Sequence, residues 1–197
     1  VFSQDLLSYE KGVMRLFGIG RKRMSLLSIL LLQNLAFRRA NGVIFLTQYA
    51  GKLIQESCGK LKNTTYIPHG IEEEFKENKT LCNWPDNLNE PIRSIYVSPI
   101  MAFKHQSEVV DAISILRSRG NNITLSLVGS GEPNELRLLN IKVKEVDPKG
   151  DFIYQAGLIP HADLSNELAN SNLFIFASSC EAFGISLLEA MAIGIPI

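Results

Sequence analysis

Cysteine is scarce in this sequence, and the few cysteines present lie far apart. The 197 residues contain three, Cys58, Cys82 and Cys180, with no C-x-x-C pair among them. An odd and sparse set of this kind argues against a disulfide framework and is typical of a reducing compartment, so we expect a cytoplasmic protein. Histidine, cysteine and aspartate also lack the spacing of metal ligands, and neither a metal site nor a resident cofactor is predicted.

An excess of charge of one sign and long hydrophobic runs are also missing. Twenty basic and 20 acidic side chains give a formal net charge of zero, so nucleic acid is not expected as a partner. The apolar run at residues 24–37 is interrupted by polar residues and is shorter than the roughly 20 apolar residues that span a bilayer. Arg15 and the basic residues 21–23 precede it. Two interpretations stay open: a core-facing helix with a solvated basic end, or peripheral contact with the inner face of an anionic membrane.

The two ends of the chain resemble the interior of a longer sequence. The first residue is Val1, and no signal-peptide pattern follows it. The last residues, Ile-Pro-Ile, are typical of the opening of a buried strand. We therefore expect an internal fragment, truncated at both ends.

The hydrophobic period changes repeatedly along the chain. Residues 1–41 are predicted to be helical, and from Gly42 onward short apolar runs alternate with amphipathic helical segments. Strict alternation of strands and helices predicts an α/β fold, with a Rossmann-like parallel sheet covered by helices on both faces. The predicted strands are residues 42–47, 64–68, 92–98, 122–129, 151–157 and 172–179, with a further strand opening at Ile195.

A segment without periodicity separates the chain into two parts. Residues 76–91 contain two prolines and are predicted to be a loop or linker, reached through the polar connection EEEFKENKT. Residues 1–75 are then the end of an N-terminal domain with an inter-domain segment. Residues 92–197 form an incomplete C-terminal domain.

The last segment, SSCEAFGISLLEAMAIGIPI, holds two acids in an apolar context. In sheets of this type ligands bind beyond the carboxyl ends of the strands. A helix predicted to begin near Gly184 would offer unpaired backbone amides to an anion such as phosphate. Glu189 inside that helix needs donors, which sugar hydroxyls supply, and Glu181 stands just before the helix. The segment therefore suits a nucleotide sugar, the alternative being a solvated Glu181 and a capping or ion-paired Glu189.

Lys104 is a further candidate for contact with phosphate. In SPIMAFKHQ it follows a predicted strand and precedes a predicted helix. A lysine at the carboxyl edge of a strand suits a phosphate group. The alternative interpretation is an ordinary solvated lysine.

Other features carry weaker signals. LVGSGEPN contains Gly129 and Gly131 but lacks the third glycine of a dinucleotide fingerprint, so it is interpreted as a tight turn. His69 lies at a predicted turn and is expected to be structural. His105 and His161 begin helices and carry no functional signal.

Several segments together resemble one protein family. FASSCEAFGISLLEAMAIGIPI is similar to the donor-site segment of GT-B glycosyltransferases of family 4, the glycosyl transferases group 1 family. YIPHGIEEEF, IYVSPIMAFKHQ, LSLVGSGE and FIYQAGLIPHADLSNELANSNLFIFAS follow that family's order and spacing. The resemblance covers about residues 36–197. It implies a GT-B fold, with the end of a first Rossmann-like domain and an incomplete donor domain.

The resemblance also implies roles for individual residues. Lys104 would contact the donor diphosphate and Glu181 the hydroxyls of the transferred sugar, and these two are the catalytic candidates. Glu189 would accept the ribose hydroxyls, and no metal is required. The backbone amides expected to hold sugar and phosphate are those of Phe183, Gly184, Ile185 and Ser186, and Leu158 and Ile159 would border the base.

One position departs from the family pattern. Many members carry Gly-Arg where this chain has Ser98-Pro99. The arginine would assist the lysine at the diphosphate. Lys104 and the helix amides would therefore carry more of that charge here.

The function implied is retaining transfer of a sugar from a nucleotide-diphosphate sugar to a glycan or lipid-linked acceptor, in polysaccharide or glycolipid biosynthesis. The acceptor site would lie in the first domain, most of which this chain lacks, so the fragment alone is expected to be inactive. Two alternatives stay open. One is a nucleotide-sugar epimerase of the same architecture, and the other is a non-catalytic nucleotide-binding subunit.

Overall fold

The chain folds into two units, and each unit consists of two separate stretches of the sequence. The computed structural model describes residues 1–77, 84–87 and 89–197. Val1–Gly70 and Ser179–Gly184 form the first unit, and Ile71–Ser178 and Ile185–Ile197 form the second. The division after Gly70 differs from the sequence-based one after residue 75, because Phe75 is fully buried in the core of the second unit.

The first unit contains a parallel sheet of three short strands. Their order is β1 (Phe2–Ser3), β2 (Val43–Phe45) and β3 (Thr64–Tyr66). β2 forms because Val43 and Phe45 are buried on one side of an alternating run. β1 was not predicted, since a strand of two residues has no period of its own and depends on pairing with β2.

Helices α1 (Lys11–Leu16), α2 (Arg21–Arg39) and α3 (Gln48–Cys58) complete this unit. Thr47 caps α3 as predicted, because its hydroxyl oxygen accepts a hydrogen bond from the backbone N–H of Ala50 at 3.1 Å. Among the described residues, none of the helices has both the length and the apolar character needed to cross a bilayer.

The second unit is a parallel four-stranded sheet in the order β6-β5-β4-β7. The strands are β4 (Ile92–Val97), β5 (Ile123–Val128), β6 (Ile153–Gly157) and β7 (Leu173–Phe174). The helices are α4 (Glu73–Glu77), α5 (Gln106–Ser118), α6 (Pro133–Val146), α7 (His161–Ala169) and α8 (Ile185–Ile193), with a 3₁₀ turn at Ala102–Lys104.

Neighbouring residues of each strand point to opposite faces of the sheet, and helices cover both faces. Tyr96 lies in a core shared by β4, β5, β6, α5 and α6. Ile95, the residue before it, lies in a second core with residues of α4, α7 and α8. The predicted Rossmann-like sheet with helices on both faces is therefore confirmed for this unit.

Three local predictions need correction. The polar connection at residues 72–80 contains helix α4, which buries Phe75, so Lys76 and Glu77 are helical and not part of a loop. Residues 78–83, with Cys82, and residue 88 lie outside the described part of the predicted linker. The strand predicted at 172–179 is only Leu173–Phe174. No strand forms at Ile195, although the N–H of Phe174 donates to the carbonyl of Pro196 at 2.8 Å.

A buried carboxylate organises the connection from α6 to β6. Asp147 is 5% exposed. Its oxygens accept backbone N–H bonds from Asp151 at 2.9 Å, Phe152 at 2.9 Å and Ile153 at 2.8 Å. Burial alone would raise the pKa of Asp147, but these backbone donors outweigh it and lower the pKa below its usual value. The carboxylate therefore sets where β6 begins.

Candidate functional site

The strand order of the second unit creates a switch point. The chain runs outward from β4 to β5 and β6, and then returns to place β7 on the other side of β4. All neighbouring pairs are parallel, so the loops that follow the strands leave at one edge. In open α/β sheets, ligands bind at the carboxyl ends of the strands that flank such a point, here β4 and β7.

Lys104 lies in the loop that follows β4. It ends the 3₁₀ turn and is only 7% exposed, so it is not the solvated lysine of the alternative interpretation. The hydroxyl of Tyr96, on β4, donates to the carbonyl of Lys104 at 2.5 Å. The Nζ atom lies 5.5 Å from the ring centroid of Phe103. The turn holds this cation at the switch point.

The Ser98-Pro99 pair is held by Gln106, a residue that the sequence did not single out. Gln106 is 5% exposed at the start of α5. Its Nε2 donates to the Ser98 hydroxyl at 2.7 Å and to the Pro99 carbonyl at 2.8 Å. Gln106 therefore fixes the start of the segment that carries Lys104, and Tyr96 fixes its end, through these hydrogen bonds. Neither residue has a motif that could have revealed this.

The two glycines after β5 allow a close approach of backbone to backbone. A Cβ atom on Gly129 would lie 2.0 Å from the Ser98 carbonyl oxygen, and one on Gly131 would lie 2.3 Å from that of Ile100. Gly129 also has φ +140°, which favours glycine. The two glycines are therefore required for close packing of this turn against the backbone of residues 98–100, in agreement with the tight turn expected from the sequence.

The loop before α8 belongs to the first unit. The hydroxyl of Thr47 donates to the carbonyl of Ala182 at 3.1 Å. The ring of Phe183 packs edge-on against His69, with centroids 5.3 Å apart. Glu181, between Cys180 and Ala182, is half-buried. His69 is therefore a packing partner of this loop, as its position at a turn suggested.

Helix α8 begins one residue after the predicted position. Gly184 has φ +79°, a left-handed conformation that turns the chain into the helix at Ile185. The first turn, with Ile185 and Ser186, contains no acidic residue. The partial positive charge of the helix N-terminus is therefore not offset by an acidic side chain in the first turn.

Glu189 is buried in α8 and contacts a histidine. Its side chain is 6% exposed, and its Oε1 lies 3.1 Å from Nε2 of His161. Burial raises the pKa of Glu189, the hydrogen bond from His161 acts in the opposite direction, and the charge of Glu72 adds to the rise. An ion-paired Glu189 was the alternative interpretation of the sequence, but its partner His161 was missed there.

The two residues expected near the base follow β6. Leu158 is 80% exposed, and Ile159 is partly buried against the core that includes residues of α7 and α8. A large exposed apolar side chain at the carboxyl edge is suited to contact with a planar base. Within the described residues, no group of three or more His, Cys, Asp or Glu side chains could hold a metal ion.

Comparison with known proteins assigns the family. Residues 84–197 match the sequence model of the family described as Glycosyl transferases group 1. This match spans more than half of the chain, and the chain belongs to that family. Its fold is the GT-B type expected from the sequence, which solved structures of glycosyltransferases share.

The relatives are longer than this chain. The amylovoran biosynthesis glycosyltransferase AmsK of Erwinia amylovora is 28% identical over 156 residues, which cover 74% of this chain and 35% of AmsK. The GtfA subunit of UDP-N-acetylglucosamine–peptide N-acetylglucosaminyltransferase from Streptococcus gordonii is 31% identical over 115 residues, 58% of this chain and 21% of that subunit. The chain thus spans about a fifth to a third of these two relatives.

Solved structures show the same fold at lower identity. Anabaena Alr3699/HepE, in complex with UDP and glucose, has a TM-score of 0.73 at 19% identity, covering 99% of this chain and 50% of that one. WaaG, a glycosyltransferase involved in lipopolysaccharide biosynthesis, has a TM-score of 0.71 at 20% identity, covering 99% and 54%. The chain therefore spans about half the length of these structures.

Proposed function

We propose that the protein transfers a sugar, with retention of anomeric configuration, from a nucleotide-diphosphate sugar to a glycan or lipid-linked acceptor. One observation carries the proposal. A buried lysine, Lys104, follows β4, and a buried carboxylate, Glu189, lies in the helix that follows β7. β4 and β7 are the strands that flank the switch point. A cation for the diphosphate and an acceptor for ribose hydroxyls are what such a donor needs.

Each group then has a distinct task. Lys104 neutralises charge that develops on the diphosphate as the glycosidic bond breaks, which lowers the barrier by electrostatic stabilisation. The amides of residues 183–186 hold the distal phosphate and the transferred sugar, and Glu181 accepts hydrogen bonds from hydroxyls of that sugar. Glu189 accepts the ribose hydroxyls, and Leu158 and Ile159 border the base. No metal is needed, because these cationic and dipolar groups balance the phosphates.

UDP is the first nucleotide to test. Anabaena HepE was solved with UDP and glucose, and the pneumococcal O-GlcNAc transferase GtfA with UDP and GlcNAc. The decisive experiment incubates the full-length protein with UDP- and GDP-sugars and candidate acceptors. Sugar transfer supports the proposal. Epimerisation of the donor would instead support a nucleotide-sugar epimerase. Tight nucleotide binding without turnover would instead support a non-catalytic nucleotide-binding subunit.

Replacement of Glu189 by alanine is expected to weaken UDP binding by about 1–3 kcal/mol, because two ribose hydroxyls lose their charged acceptor. Isothermal titration of UDP measures the change. Glu167→Ala, an exposed acid on α7, is the matched control. A folded Glu189 variant that binds UDP as tightly as the unaltered protein would remove the ribose role.

The exposed side of α2 supports contact with a membrane surface on the cytoplasmic side. Within α2 the buried residues are Leu26 and Phe37, whereas Leu31 is 70% and Leu32 66% exposed. Basic residues lie at both ends of the helix, at 21–23 and 38–39. This combination complements an anionic bilayer, in which leucines enter the interface and basic groups meet lipid phosphates.

A double Leu31→Glu, Leu32→Glu variant is expected to bind phosphatidylglycerol vesicles at least about tenfold more weakly. The reason is that two leucine side chains, exposed in the protein, would no longer enter the bilayer interface. Vesicle co-sedimentation measures binding, with phosphatidylcholine vesicles as the uncharged comparison. Leu138→Glu, an exposed leucine on α6, is the control. Equal retention of the double variant and the unaltered protein would exclude α2 as the contact.

A further inference from the structure

The first unit carries an excess of positive charge that the composition of the whole chain does not reveal. Val1–Gly70 and Ser179–Gly184 together hold ten lysines and arginines and four acids, a formal net charge of +6. The second unit holds ten basic and 16 acidic side chains, which gives −6. The first unit is therefore strongly basic, and a surface of this kind attracts anions.

Four of these basic residues line one cavity of the first unit, here called the basic recess. It has a volume of about 330 Å³ and lies beside the ends of α2 and α3. Its cationic lining residues are Arg38, Arg39, Lys60 and Lys62. The amide side chains of Asn41 and Asn63 also line it, and none of its lining residues is acidic. The recess is therefore built for an anion.

The basic recess lies at the amino edge of the sheet in the first unit. Its lining residues 37–41 precede β2 and residues 60–63 precede β3, and these two strands are parallel. Ligands of open α/β sheets ordinarily bind at the opposite edge, beyond the carboxyl ends of the strands. The recess is therefore not part of the edge at which this class of fold holds its substrates.

Two hydrogen bonds hold the walls of the basic recess together. Nε of Arg38 donates to the carbonyl of Cys58 at 2.5 Å, which joins the end of α2 to the end of α3. Nδ2 of Asn63 donates to the carbonyl of Asn41 at 2.8 Å. Within the described part of the chain, the cationic lining residues have no ion-pair partner. Their charge is therefore left for a ligand.

Balance of the helix dipoles accounts for only part of this charge. α2 and α3 both end beside the recess, and each helix C-terminus carries a partial charge of about −0.5. Two such ends offset about one of the four positive charges. About three charges remain, which is enough to hold a phosphate monoester of charge about −2.

We propose that the basic recess binds a phosphate-bearing ligand. Its two guanidinium groups can pair with phosphate oxygens in bidentate fashion, its two lysines supply point charges, and its asparagine amides donate further hydrogen bonds. The phosphate can come from a soluble organic phosphate or from the headgroup of an anionic lipid. The site goes beyond the proposed sugar transfer, because none of its lining residues belongs to the donor site.

Calorimetric titration of the full-length protein with inorganic pyrophosphate tests the recess. Every protein titrated carries Lys104→Met, so that the cation of the proposed donor site does not contribute. Adding Lys60→Gln and Lys62→Gln should weaken pyrophosphate binding at least about tenfold, because two charged donors are lost. Adding Lys11→Gln and Lys52→Gln instead is the matched control. It removes the same charge from exposed positions of the first unit outside the recess, and the affinity should be retained.

Vesicles distinguish the two sources of phosphate. Co-sedimentation compares phosphatidylcholine vesicles with and without phosphatidic acid, a lipid that exposes a phosphate monoester. A lipid ligand predicts retention on phosphatidic acid that the Lys60, Lys62 variant loses and the control keeps. A soluble ligand predicts pyrophosphate binding together with equal vesicle retention of the two variants. The Leu31→Glu, Leu32→Glu variant should still bind pyrophosphate, because neither leucine lines the recess.

Three results would overturn the proposal. Equal loss of pyrophosphate affinity in the Lys60, Lys62 variant and in the control would mean attraction to the net charge of the unit and not to a site. Full affinity in the Lys60, Lys62 variant would exclude the recess. Absence of binding to both pyrophosphate and phosphatidic acid would exclude a phosphate ligand. Failure of sugar transfer would change none of these results, so the two proposals are tested separately.

Discussion

Replacement of Lys104 by methionine is expected to lower kcat/KM for sugar transfer by about 10²- to 10³-fold, the usual cost of removing one preorganised group that stabilises charge in a transition state. Methionine matches the length of lysine and suits a position that is only 7% exposed, so the fold should be retained. The effect is expected to be large because Ser98-Pro99, in the same loop, supplies no second cationic side chain to share the diphosphate charge with Lys104.

The measurement is initial-rate kinetics with the donor sugar that the unaltered protein uses, together with thermal unfolding of each variant. Lys144→Met is the control, because Lys144 is an exposed lysine of α6. A Lys104 variant with unchanged kcat/KM would show that the diphosphate charge is balanced elsewhere. Loss of activity in the Lys144 variant as well would mean that the effect is not specific to the site.

Replacement of Asp147 by alanine is expected to lower the free energy of unfolding by about 3 kcal/mol, because three backbone N–H groups at the start of β6 lose a charged acceptor. For a chain of this size that corresponds to a fall in Tm of about 6–12 °C. Denaturant unfolding gives the change directly. Asp151→Ala, an exposed neighbour, should change stability by less than about 0.5 kcal/mol.

The contribution of Asp147 should also depend on pH with a definite sign. Its pKa is lowered in the folded protein, so its stabilisation is present above the unfolded-state pKa of about 3.9 and is lost as pH falls through the lower folded value. The difference in stability between the unaltered protein and Asp147→Ala should therefore narrow below about pH 4. A constant difference through that range would mean that the carboxylate charge is not what stabilises the turn.

Local sequence pattern determined most of the α/β architecture. β4 and β5 lie where apolar runs predicted strands, and α3 begins after Thr47, whose hydroxyl caps it. These features depend on side chains a few residues apart, so they can be recognised without knowledge of the rest of the molecule. Lys104 and Glu189 were recognisable as candidates for the same reason, one by its place after a strand and the other as an acid in an apolar helix.

Strand length and short elements were decided by partners distant in the chain. β7 pairs with β4 only at Leu173 and Phe174, although the apolar run continues beyond them. β1 exists through its pairing with β2, and α4 forms where Phe75 enters a core built from later segments. A sequence pattern shows that a segment can form a strand, but not where its neighbour ends.

The sequence alone determined the family fold and identified Lys104 and Glu189 as candidates for the site, whereas their burial became known only from the tertiary structure. Only the tertiary structure decided which groups surround those charges: His161 and Glu72 around Glu189, and Tyr96 and Gln106 around the segment that carries Lys104. It also decided that residues 179–184 join the first unit. The His161–Glu189 contact joins residues 28 positions apart, and His161 begins its helix without any distinguishing neighbour. Hydrogen bonds and burial at such separations depend on how the helices pack, which no local spacing of residues encodes.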